Sequence, residues 1–228
     1  MIKTEAIVLS HLKYGEHSVI ATLYTSAMGR QSVLVKGAFS KRTPMKASLF
    51  RPLYLLDISL RYSARRQLQY IGDMSLSVPF LNIPYDPVKS GIALFLSEVL
   101  YRTLRAEEAD GALFAFLSHA VQVLDLNRHG TANFHLVFLL RLARYLGFSP
   151  PEDFLRDMPG VQLPAERLAE DNALLNRLLH LPFDALETVA LNREHRNELL
   201  DIILAYYAVH VEGMGSLQSA EILKTLFS

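Results

Sequence analysis

Five cations follow one another from the thirty-sixth to the fifty-first residue: Lys36, Lys41, Arg42, Lys46 and Arg51. No acidic residue stands among them. Ammonium and guanidinium groups in series neutralise phosphates and release the counterions condensed on them. Gly37, Phe39 and Phe50 are interleaved with the charges, and aromatic rings beside cations offer stacking surface for bases. The chemistry this suggests is the holding of a polyphosphate strand, with Arg30 and Lys13 extending the patch. A solvated, charged loop with no ligand is the competing reading. Arg65 and Arg66 form a second candidate contact, against the alternative of a solvated turn. Tyr14, Phe39 and Tyr62 could stack on bases, although packing within the fold is the favoured role for each.

Other chemistries lack their residues. No Gly-rich phosphate loop follows a strand, and no His-Glu-x-x-His or Gly-x-Ser-x-Gly motif occurs. The chain has no cysteine, which rules out disulfides and thiolate metal sites. His129 and His135 are six apart, a poor spacing for shared ligation on a helix. Glu107, Glu108 and Asp110 read as solvated charge at a helix end. The expectation is a binding protein rather than an enzyme, with no metal and no cofactor.

The elements that must position these cations come first in the chain. Alternation predicts strands over Thr4–Ser10, His17–Thr25, Gln31–Val35, Leu53–Tyr62 and Leu68–Met74. Five short strands with turn signals between them suggest a small barrel, whose closure removes exposed edges. Near Pro79 the run VPFLNIPYDP brings three prolines, each lacking a donor and disfavouring helix before it. Beyond it the period is helical. Ile92, Phe95, Leu96, Val99 and Thr103 mark one helix. Others are expected over Ala112–Leu126, Thr131–Leu146, Phe183–Leu191, Arg193–Val211 and Ser216–Leu226. Thr131 is a candidate N-cap and Gly147 a candidate C′ residue. An irregular insert covers about 149–182, helical in part from Glu166 to Leu181. The expected fold is α+β: a barrel domain at 1–80 and an all-α domain at 81–228.

Charge divides along the same line. Residues 1–80 hold 11 Lys/Arg against 4 Asp/Glu, and 81–228 hold 12 against 19, so a net charge of zero conceals a basic part and an acidic one. Such asymmetry suggests a polyanionic partner for the basic part, or attraction between the two parts. No stretch approaches the roughly 18 apolar residues of a membrane span. The apolar run near the N-terminus is too short for a signal-peptide core. A cytoplasmic protein with no membrane contact is expected.

Several stretches carry a resemblance. KTEAIVL (Lys3 to Leu9), YGEH (Tyr14 to His17), LYTSAMGR (Leu23 to Arg30) and VLVKGAFSKR (Val33 to Arg42) are similar to the RecO family of bacterial recombination mediators. LFRPL (Leu49 to Leu53), FLLRLARYLGFSP (Phe138 to Pro150) and SLQSAEILKTL (Ser216 to Leu226) continue the match in order. In the last of these Gln218 stands where the family usually has lysine. The resemblance implies an N-terminal OB-fold and a helical C-terminal domain. It also implies binding of single- and double-stranded DNA, annealing of complementary strands, and help in loading RecA onto DNA coated with SSB. RecR and the C-terminal tail of SSB would be the partners, and the location would be the nucleoid. Within that frame Arg141 and Arg144, three apart on an apolar helix, are candidates for the SSB-tail carboxylates, against an internal salt bridge. Many family members carry four cysteines as a zinc site in the insert. Here Pro151 to Pro164 has none, so packing through Phe154, Leu155, Met158 and Val161 is expected in its place. A protein–protein adaptor, its basic barrel docked on an acidic partner, is the alternative function.

Overall fold

A computed structural model describes residues 1–38, 48–105, 108–158, 161 and 163–227. Five strands, β1 (Ile2–Tyr14), β2 (Ser18–Thr25), β3 (Gly29–Val35), β4 (Leu55–Arg61) and β5 (Gln69–Leu76), close a barrel in the order β1-β2-β3-β5-β4. That is the order of an OB-fold, as the resemblance implied. All neighbours are antiparallel except β3 and β5, which run parallel through Val33↔Gln69 and Leu34↔Tyr70. Ala6, Val8, Val19, Leu23, Val33, Leu56 and Leu60 are wholly buried.

β1 is longer than its alternation suggests. Beyond Ser10 it continues as a hairpin arm paired only with β2, up to Tyr14↔Ser18. Both faces of that arm meet solvent, so its sequence carries no inside–outside rhythm. An extra residue at Leu9, between Val8↔Leu23 and Ser10↔Thr22, makes a bulge that bends the strand. Leu53 takes a φ of 61°, unusual for a branched side chain. Its buried side chain and its N–H bond to the Val8 carbonyl at 2.9 Å hold it there.

Six α-helices follow among the described residues: α1 (Pro87–Thr103), α2 (Gly111–Leu126), α3 (Phe134–Tyr145), α4 (Ala165–His180), α5 (Arg193–His210) and α6 (Gln218–Leu226). Asp86 caps α1 by accepting from the amides of Val88 and Lys89, with Pro87 in the first turn. Thr131 does not cap α3. It opens a 3-10 turn, Thr131–Asn133, and Asn133 stands at the helix start without a side-chain cap. Gly147 does end α3, with φ at 85°. Phe148 N–H donates to the Ala143 carbonyl and Gly147 N–H to that of Arg144, the paired bonds of a Schellman motif. Phe183–Thr188 forms a 3-10 helix rather than an α-helix.

The insert is held by packing. Phe154, Leu155 and Met158 are buried, and Val161 packs against the core. The Phe154 ring meets Tyr206 at 5.1 Å, and Leu155 N–H reaches Asn172 Oδ1 at 3.3 Å. Asp171, buried on α4, joins α5 through His195 Nε2 at 2.7 Å and accepts from Arg167 Nε at 3.0 Å.

Barrel and helices share one continuous core. Tyr24 stacks on Phe114 with centroids 6.3 Å apart. The proline-rich connection is fixed by Asp125, whose carboxylate accepts from the amides of Leu81, Asn82 and Ile83 at 2.9, 2.8 and 2.7 Å. Buried Lys89 donates to the carbonyls of Asp125 and Asn127, and burial lowers its pKa.

Candidate nucleic-acid interface

The barrel gathers cations from separate stretches of chain along one rim. Register sets Lys13 opposite Val19, Val19 opposite Val35, Leu34 opposite Tyr70 and Tyr70 opposite Arg61. Lys36 follows β3 on this path, and Arg65 and Arg66 lie in the turn between β4 and β5. The turns after β1 and between β4 and β5 are those by which OB-folds commonly hold oligonucleotides.

Tyr70 joins the two candidate contacts. Lys36 Nζ lies 5.4 Å from the centroid of its ring and the Arg66 guanidinium 5.5 Å. Each is within cation–π range. Lys36, Arg61, Arg65 and Arg66 are exposed. None of the four forms an ion pair with a carboxylate among the described residues. Tyr14 and Tyr62 are 55% and 45% exposed, so each ring is about half-buried and keeps surface open to solvent. Arg61 and Tyr70 escaped sequence reasoning because they join the other cations only through the pairing of β5 with both β3 and β4. The only sequence signal for them was their position flanking Arg65 and Arg66.

Other predicted residues lie elsewhere. Arg30 opens β3, six residues from Lys36, or about 20 Å along an extended strand. Its guanidinium donates to the carbonyls of Tyr101 and Leu104 at 2.7 and 2.9 Å and rests 4.4 Å from the Tyr101 ring centroid. It therefore joins the barrel to α1 instead of extending the basic patch. Arg51 is exposed but lies before β4, at the opposite end of that strand from Arg61. Phe50 is wholly buried and offers no surface to a base. Lys13 is exposed on the β1 arm and makes contacts of its own. Lys41, Arg42, Lys46 and Phe39 fall outside the described residues.

The helical half holds a second basic feature. Arg141 and Arg144 line a groove of about 930 Å³ with Phe116, Tyr145, Leu179 and His180. Arg141 donates to the Leu181 carbonyl at 2.6 Å, and its guanidinium lies 4.8 Å from the Phe183 ring centroid. Burial lowers its pKa. Neither arginine forms a salt bridge among the described residues, so the internal ion pair is not what holds them.

The family model described as Recombination protein O N terminal matches residues 1–80, and that described as Recombination protein O C terminal matches 84–154 and 166–219. The chain belongs to the RecO family. Its C-terminal match breaks within the cysteine-free insert. The DNA repair protein RecO of Bacteroides fragilis is 39% identical over 99% of this chain and 98% of its own length. Those of Phocaeicola vulgatus and Flavobacterium psychrophilum are each 36% identical, covering 99% and 100% of this chain and 99% of their own lengths. Among the described residues of this RecO family member, no helix is long and apolar enough to cross a membrane.

Proposed function

We propose that this chain acts in bacterial DNA repair and recombination as a mediator that binds rather than catalyses. The barrel rim holds single- and double-stranded DNA by its phosphates and leaves base edges free, so complementary strands can anneal. With RecR it helps RecA load onto SSB-coated DNA, in the cytoplasm at the nucleoid. The groove of Arg141 and Arg144 takes the C-terminal tail of SSB, where guanidinium groups beside aromatic rings suit a carboxylate on an apolar chain.

One observation carries the DNA reading: Lys36 and Arg66, from different loops, converge on Tyr70 with no carboxylate paired to them among the described residues. Similarity to DNA repair proteins over nearly the whole chain supports the repair role. The test is a titration of a labelled oligonucleotide across salt concentrations. Affinity should fall linearly on logarithmic axes, and Lys36→Gln with Arg66→Gln should reduce the slope by about 1 for each cation removed. An unchanged slope in that double variant overturns the assignment. Competition by an acidic peptide as effective as by the oligonucleotide would favour the adaptor function instead.

A further inference from the structure

One wall of the barrel carries the opposite charge from the rim. A groove of about 760 Å³ opens where β1, β4 and β5 meet. Register sets Glu5 directly opposite Asp57, and both are exposed. Like charges facing one another across neighbouring strands destabilise a sheet. Asp73 lines the same groove. It stands in a bulge: Ile58 pairs with Met74 and Leu60 with Ile71, so Gly72 and Asp73 together face Ser59. Bulges re-aim side chains and recur beside functional sites.

Ser59 lies two residues from Asp57, on the same side of β4. It belongs to the groove wall and is 6% exposed, and its hydroxyl has no hydrogen-bond partner among the described residues. The three carboxylates, on Glu5, Asp57 and Asp73, are exposed. Among the described residues none of the three makes an ion pair. Glu5 receives only the Ser77 hydroxyl, at 3.4 Å. Lys3, opposite Ser59, lines the groove as well without pairing with them. No three carboxylate or imidazole groups of the described residues are arranged to hold a metal ion, and a nucleic acid would meet its own sign of charge here.

We infer that this groove is a docking site for a lysine- or arginine-bearing segment of a protein partner. A guanidinium fork spans two carboxylates on adjacent strands. Such a segment would set a cation between Glu5 and Asp57. Asp57 is four residues from Arg61 on the same side of β4, about 13 Å along the strand, so the partner would abut the rim without covering it. The inference does not depend on the DNA reading.

The test uses the full chain and a fluorescein-labelled hexa-arginine peptide, followed by anisotropy at low salt. Asp57→Asn with Asp73→Asn should weaken binding at least about fivefold. Glu166→Gln with Glu170→Gln, the same change of charge on exposed positions of α4, should leave it within about twofold. Asp57→Asn alone should raise the melting temperature, because it removes one of two facing like charges. Equal weakening by both pairs of substitutions, or none by the first, overturns the site. A lower melting temperature for Asp57→Asn would make the residue structural and overturn it too.

Discussion

The barrel rim and the helical groove use the same two ingredients, cationic side chains and aromatic rings, in opposite ways. On the rim, exposed Lys36 and Arg66 both lie over a half-buried Tyr70. In the groove, Arg141 sits over Phe183 and is already bonded to the Leu181 carbonyl, with exposed Arg144 beside it. An open row of exposed cations suits a long anion that passes across it. A recess with one anchored guanidinium and walls of mixed polar and apolar side chains suits an anion that ends there. The difference lies in shape and prior hydrogen bonding, not in residue type.

The comparison can be broken or sharpened at three places. The largest effect should come from Asp125, which fixes the rim relative to the groove. Asp125→Ala leaves three backbone amides without an acceptor, and should cost about 3–5 kcal/mol in a denaturant titration. A cost below about 1 kcal/mol would mean that the connection is held by other contacts.

Next comes His135, on the helix that carries both groove arginines. It is fully buried, stacked on Phe227 with centroids 5.4 Å apart. Burial, with Arg196 nearby, lowers its pKa from 6.5 to about 3. The folded chain therefore keeps this ring neutral at a pH where the unfolded chain protonates it. Its contribution to stability should be constant above pH 6.5 and fall as the pH drops from 6.5 towards 3. The loss should be about 1.4 kcal/mol per pH unit. Thermal melts at neutral and acidic pH should show that slope, and His135→Leu should remove its share. The same slope in the variant would assign the acid sensitivity to other groups.

The smallest effect separates the two proposed anion sites directly. Arg144→Ala should weaken an acidic peptide with a free C-terminal carboxylate by roughly fivefold and leave oligonucleotide affinity alone. Lys36→Gln with Arg66→Gln should do the reverse. If both variants lose both ligands, rim and groove form one electrostatic field and the distinction fails.

Much of the fold could be read from the sequence, and the reason differs by region. β2 and β4 alternate because one face is buried, as Val19, Ala21 and Leu23 illustrate. The arm of β1 from His11 to Tyr14 has no buried face, so only pairing with β2 reveals it. The 3-10 helix at Phe183–Thr188 lacks a side-chain cap, and six residues are too few for periodicity to tell it from an α-helix. The candidate site was legible only as a list of cations. Nothing local distinguishes Arg30, bonded to α1, from Lys36, which faces Tyr70. The acidic groove was hidden for the same reason, since Glu5, Asp57 and Asp73 meet only when the barrel closes.

A joint with three prolines would ordinarily be taken for a swivel. Here one carboxylate welds it, and Arg30 braces the far side. The two bodies thus act as a caliper set to one span. The gap between rim and groove is thereby set by the fold itself.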